Sequence, residues 1–175
     1  MLNTKLILIE GLPGSGKSTT TLHLGSVLQR HGVPCDCFRE EDDPHPISCL
    51  DFPIKGLTQK MVPLWKEFVV RAEIQPTATI IESRLWHNTA QFMLMSEVDV
   101  DEIIDFNRQV GQTLSPLSPA LIYLDQTDVA ASFRRMASTR GEEWVQSTLH
   151  ETLDYPWFTS RGIRDFDGWV SFFEE

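Results

Sequence analysis

Cysteine is scarce, long apolar runs are missing, and basic side chains are outnumbered. Three cysteines occur in 175 residues, Cys35, Cys37 and Cys49. They are odd in number and match no zinc spacing, so free thiols in a reducing cytoplasm are expected rather than a disulfide framework or a structural zinc. No apolar run approaches a membrane span, and an early lysine followed by only four consecutive apolar residues does not read as a secretory leader. Fifteen Lys and Arg against twenty-five Asp and Glu leave a net charge of −10, without a basic run. Such a surface repels polyanions, which argues against general nucleic-acid binding. It still admits a small anionic ligand, because a few placed arginines can make a local positive site. Repeats and low-complexity tracts are absent, and the length suits one well-buried core better than two.

What is present is concentrated near the start. Leu6 to Ile9 is apolar at every position and bounded by charge, as suits a short strand buried on both faces. Gly11-Leu-Pro-Gly-Ser-Gly-Lys-Ser18 follows and matches the phosphate-binding pattern G-x-x-x-x-G-K-[ST] in full. Helical spacing then takes over, with Leu24, Val27, Leu28 and His31 on one stripe and Gly32 placed to end it. Strand, glycine loop and helix thus come in the order this chemistry needs. Gly11, Gly14 and Gly16, without Cβ atoms, let backbone N–H groups curl around a polyphosphate, and the helix dipole points at the same anion. Pro13, Ser15 and Thr19 complete the cradle, Lys17 would reach the outer phosphates, and the Ser18 hydroxyl would bind Mg²⁺. The implied cofactors are ATP and Mg²⁺.

Val33 to Phe38 reads as a second strand and leads into Arg39-Glu-Glu-Asp-Asp-Pro-His-Pro46, a loop because of its prolines. Glu40, Glu41 or Asp42 can act there, or the run is a solvated acidic loop; His45 reads as incidental. Thr58 to Ile74 forms an amphipathic helix whose stripe includes Met61, Trp65 and Phe68, a core face with Trp65 able to edge a pocket. Thr77 to Ile81 is a third strand ending in Glu82-Ser83-Arg84, followed by a helix over 85–95. A carboxylate and a guanidinium at a strand's carboxyl end suit a metal ligand, Glu82, and a phosphate clamp, Arg84, with a structural ion pair as the alternative. Val100 to Val110 packs as a helix, and Ala120 to Leu124 is a fourth strand. The helix after Asp128 carries Arg134 and Arg135 and runs into Ser138-Thr-Arg140-Gly-Glu-Glu143, either a lid over about 134–144 or a plain helix end. The aromatic tail from Trp144 is too apolar for disorder, and Trp169 to Phe173 fits a fifth strand or a helix start.

Alternating strands and helices imply a mostly parallel sheet of four to five strands with helices on both faces. Within the P-loop NTPase fold, with its three α/β layers, the chain resembles the thymidylate kinase and deoxynucleoside kinase group. The likeness rests on the loop at 11–19, Phe38-Arg-Glu-Glu41 with Pro44, and Ile81-Glu-Ser-Arg84. It is carried furthest by Leu121 to Asp125 with Asp128, Arg134, Arg135 and Arg140 to Glu143. It covers residue 1 to about 145 and departs where Ser83 parts the acid from Arg84 and where no final strand and helix follow the lid. The resemblance implies a single kinase-like domain over 1–175, with a C-terminal part that is either cut short or remodelled. Its expected activity is γ-phosphoryl transfer to a nucleoside, a nucleotide or another small acceptor. Lys17, Glu40, Arg84 and Arg140 would be catalytic, with Arg134 or Arg135 assisting at the donor and Ser18 and Glu82 at the metal. An antibiotic or metabolite kinase and a nucleotide-binding regulatory module stay open, as does a homodimer. Guanine-reading Asn-Lys-x-Asp, transporter Ser-Gly-Gly-Gln and protein-kinase His-Arg-Asp signatures are all missing.

Overall fold

Every residue of strand β1, Leu6–Gly11, is buried, because both faces of the sheet are covered. The computed structural model of the chain describes residues 3–48 and 56–175; Cys49 lies outside them. After β1 come α1 (Lys17–Arg30), β2 (Cys35–Phe38), α2 (Leu57–Ile74) and β3 (Ala78–Glu82), then a five-residue π turn, Trp86–Ala90, that runs into α3 (Gln91–Met95). The chain continues through α4 (Val100–Leu114), β4 (Ala120–Leu124), α5 (Val129–Arg140), α6 (Glu142–Thr152), α7 (Pro156–Ser160) and α8 (Phe166–Ser171).

The four strands form one sheet in the order β2-β3-β1-β4, and every pairing is parallel. The chain is thus an α/β protein with helices flanking an all-parallel sheet. Alternation along β1 sorts its side chains. Leu6 and Leu8 join α2 and α4 in one cluster with Trp65, Phe68, Phe106 and Val110. Ile7 and Ile9 pack on the other side with Leu24 and Leu28 of α1. Trp65 is fully buried beside Phe68, at 5.9 Å between ring centroids, so it belongs to the core and edges no pocket.

The order of connections decides where a ligand fits. From β1 the chain crosses to β2 beyond β3, and from β3 it crosses to β4 beyond β1. The carboxyl ends of β1 and β3 therefore border the crevice where crossovers diverge, the place open α/β sheets offer to ligands.

The fifth strand allowed by the sequence does not form among the described residues. The tail instead folds as α7 and α8, whose Trp157, Phe158, Trp169 and Val170 pack with Phe133 and Met136 of α5 in a separate aromatic cluster. Phe133 lies 5.0 Å from Trp169 and 4.7 Å from Phe173 between ring centroids. This cluster fixes α5 to the tail and so holds the arginine-bearing helix over the crevice. On α2, Pro63 sits inside the helix.

Candidate functional site

Between β1 and α1 the backbone turns three times through positive φ, at Gly11 (148°), Gly14 (77°) and Gly16 (91°). At Gly11 a Cβ would stand 2.7 Å from the Leu124 carbonyl and 2.8 Å from Ser15 Oγ, so only glycine lets the loop leave the sheet this close to β4. Helix α1 starts directly after Gly16, and its first internal bond is donated by the Thr20 N–H to the Gly16 carbonyl at 2.9 Å. The N–H groups of Lys17, Ser18 and Thr19 therefore precede the helical ladder, and the positive end of the dipole faces the same space. The arrangement turns several unladdered N–H groups toward one open volume.

That space is a cleft of about 740 Å³. Pro13, Gly14, Gly16, Lys17, Ser18 and Thr19 form one wall, and Glu40, Glu41, Glu82 and His87 form a second. Arg135, Thr139, Arg140 and Trp144 reach in from α5 and α6.

Lys17 is 5 % exposed and donates to the carbonyls of Gly11 (2.9 Å) and Leu12 (3.1 Å). Burial pushes its ammonium below the usual lysine range, while the carboxylates of Glu40, Glu82 and Glu10 oppose that shift. Ser18 donates its hydroxyl to Glu82 Oε1 at 2.7 Å. The other oxygen of Glu82, Oε2, is buried without a hydrogen-bond partner among the described residues, and burial raises this carboxyl above its usual range against the Ser18 bond. An orphaned carboxylate oxygen beside a serine hydroxyl suits a hard divalent cation that draws its remaining ligands from water and phosphate. Among the described residues no group of three His, Cys, Asp or Glu would enclose a metal unaided.

The residues expected from sequence divide. Glu40 lines the cleft, with Oε1 3.7 Å from His87 Nε2. Asp42 faces away, accepting from the Arg39 N–H (2.7 Å) and Arg39 Nη2 (2.8 Å) to close the loop on itself. Glu41 is paired with Arg39 at 3.1 Å and largely exposed. Arg84 does not reach the cleft surface: it is 1 % exposed, donates Nη2 to the Glu40 carbonyl and lies 3.4 Å from His45 Nε2. Its role is to hold the β2 loop, and His45, read as incidental, becomes part of that support. Arg134 points the other way, to Asp167 at 3.2 Å, whereas Arg135 and Arg140 face the cleft. The Arg140 guanidinium lies 5.2 Å from the Trp144 ring centroid, a cation–π contact that orients it. Gly141, at φ 87°, is the joint between α5 and α6.

His87, Glu10 and the turn around them were not legible as site residues. Glu10 is fully buried and accepts the N–H groups of Leu85 (2.8 Å) and His87 (3.0 Å), which fixes the backbone that enters the π turn. Desolvation raises its carboxyl above the usual range despite these bonds. Burial pushes the His87 imidazole down to about 4, the Lys17 charge adds to this, and Glu40 opposes it. The ring is therefore neutral at pH 7. An unfolded imidazole takes its proton near pH 6.5, the folded one only near 4, so the unfolded state holds more protons in between. Stability from this residue is complete above pH 6.5 and is lost as pH falls through 4. His87→Asn is expected to flatten the fall in urea midpoint between pH 7 and 4.5, relative to the unmutated protein; identical slopes would contradict the assignment.

Ser83 separates Glu82 from Arg84 in a left-handed conformation, φ 62°, with its hydroxyl buried and unpartnered among the described residues. This geometry turns Glu82 to the cleft and Arg84 behind it. A β-carbon there costs about 1 kcal/mol, so Ser83→Gly should stabilise the fold by about that amount in denaturant titration; destabilisation would show that the hydroxyl contributes more than the strain.

Compared with protein-family models and with curated proteins, the chain matches none.

Proposed function

We propose that this chain is an ATP-dependent phosphotransferase of the P-loop kind, which moves the γ-phosphoryl group to a small acceptor in a single cytoplasmic domain. The observation that carries this reading is the glycine turn feeding directly into α1, with Lys17 buried at its lip. Three backbone turns, an unladdered helix start and a desolvated ammonium converge on one volume, and a polyphosphate tail is the ligand whose charge they match.

In this mechanism Lys17 exchanges the Gly11 and Leu12 carbonyls for the outer phosphates of ATP. Ser18 and Glu82 would hold Mg²⁺, which would supply positive charge against the phosphates. Arg135 and Arg140 lie on α5, joined to α6 at Gly141, and would offset charge that builds on the γ-phosphoryl oxygens as they close. Glu40 accepts the proton of an acceptor hydroxyl; the acceptor oxygen bonds to the γ-phosphorus as the bond to the β–γ bridging oxygen breaks and ADP leaves. Arg84 acts through the backbone, holding the Glu40 carbonyl so that the carboxylate faces the cleft. His87, neutral beside Glu40, fills the wall without adding a competing positive charge.

The test is phosphate transfer from ATP–Mg²⁺ to a panel of nucleosides, nucleotides and small alcohols. ADP formation that depends on one of these acceptors is expected. Absence of transfer to every member would contradict the reading.

A further inference from the structure

The far wall of the cleft is acidic, and we infer from it that the acceptor is an uncharged or amine-bearing alcohol, not a phosphate ester. The inference rests on the kinase reading above and narrows its acceptor. The carboxyl end of β2 and the loop after it carry Arg39, Glu40, Glu41, Asp42 and Asp43, four acids against one base. The one base is already engaged, to Asp42 at 2.8 Å and to Glu41 at 3.1 Å. Glu40 and Glu41 are the members of this group that line the cleft, and Glu82 stands beside them at the end of β3.

Among the described residues no arginine or lysine of this wall lines the cleft beside Glu40. Arg84, the guanidinium nearest in sequence, is buried behind Glu40 and bonded to its backbone carbonyl. His87 is neutral at pH 7, with its Nδ1 buried and unpartnered among the described residues. Among the described residues the cations that line the cleft are Lys17, seated on the glycine loop, and Arg135 and Arg140 on α5, all on the side assigned to the donor. A phosphate ester placed against Glu40 would bring two negative charges to a carboxylate whose nearest cation is Lys17 on the glycine loop, with no further arginine or lysine lining that wall among the described residues. A hydroxyl meets a proton acceptor there, and an ammonium meets the carboxylates of Glu40, Glu41 and Glu82. Asn88 and Gln91 supply amide donors and acceptors on the same wall, and Phe92 supplies an apolar ring. These recognise a polar, uncharged skeleton.

The experiment compares acceptors matched on one skeleton: nucleosides against their 5′-monophosphates, and sugars against the corresponding amino sugars and sugar phosphates. Binding of a non-hydrolysable ATP analogue with Mg²⁺ is measured first on the same protein. Loss of that binding sinks the kinase reading itself. With donor binding intact, kcat/KM for an alcohol or amino alcohol at least about 100-fold above its phosphate ester supports the inference. Preferred turnover of a phosphate ester overturns it, as does a failure to use any alcohol. Glu41→Gln provides a second readout: the ratio of kcat/KM for an amino sugar to that for its uncharged parent should fall about threefold to tenfold. An unchanged ratio would remove Glu41 from acceptor recognition.

Discussion

Lys17→Ala is expected to lower phosphoryl transfer by about 10³-fold or more, the scale on which removal of one preorganised donor in a water-excluded site is felt. The size follows from where the ammonium sits. It is 5 % exposed, bonded to two loop carbonyls, and near the carboxylates of Glu10, Glu40 and Glu82. A charge held in such a place interacts with a phosphate through a low dielectric, where an exposed lysine would be screened. Lys17→Arg should rescue little, because a planar guanidinium cannot take the position of a compact ammonium between the Gly11 and Leu12 carbonyls. Helix content by circular dichroism should be retained in both variants. Activity within tenfold of the unmutated protein would remove Lys17 from the donor site.

Glu40→Gln is the second large effect, about 10²- to 10⁴-fold in kcat with a hydroxyl acceptor, the range for loss of a positioned general base. Three acids compete for this role in the sequence, and their surroundings separate them. Asp42 is consumed by Arg39, whose guanidinium and N–H lower its carboxyl below the usual range. Asp42→Asn should therefore loosen the loop rather than remove the base. Glu41 is largely exposed and paired with the same arginine. Glu40 alone of the three lines the cleft with no arginine paired to its carboxylate among the described residues. A Glu41→Gln variant that loses as much kcat as Glu40→Gln would reassign the base.

The strands were readable because parallel sheets bury both faces and so write continuous apolar runs. Ala120–Leu124 falls at its expected bounds, and β1 and β3 within a residue or two at either end. The β2 strand is shorter than the loose alternation over 33–38 suggests, since Val33 and Pro34 precede the ladder that begins at Cys35 opposite Ala78. Helix α2 begins at Leu57, close to its expected start. Its stripe is core, because a helix lying on the sheet has no second face to offer a ligand. The segment over 85–95 reads as one helix by composition but contains a π turn at Trp86–Ala90, set by the buried Glu10 carboxylate from a strand 75 residues away. No local pattern encodes such a partner.

The same separation limits what the sequence says of the site. Lys17, Ser18 and the glycines belong to one contiguous motif whose spacing is its geometry. Arg84 sits two residues from Glu82 in the spacing of a cleft pair, yet the left-handed Ser83 sends the two side chains to opposite sides. Arg134 and Arg135 are adjacent and equivalent as letters; the helical turn of α5 gives the first to Asp167 and the second to the cleft. His87 carried no signal beyond following Arg84, because its significance lies in burial beside Glu40.

Calorimetric titration of the folded chain with adenine and guanine triphosphates in the presence of magnesium tests the cradle most directly. One saturable site is expected for the adenine triphosphate, weakened when magnesium is withheld and lost in Lys17→Ala. Heats indistinguishable from dilution for both nucleotides would contradict the account.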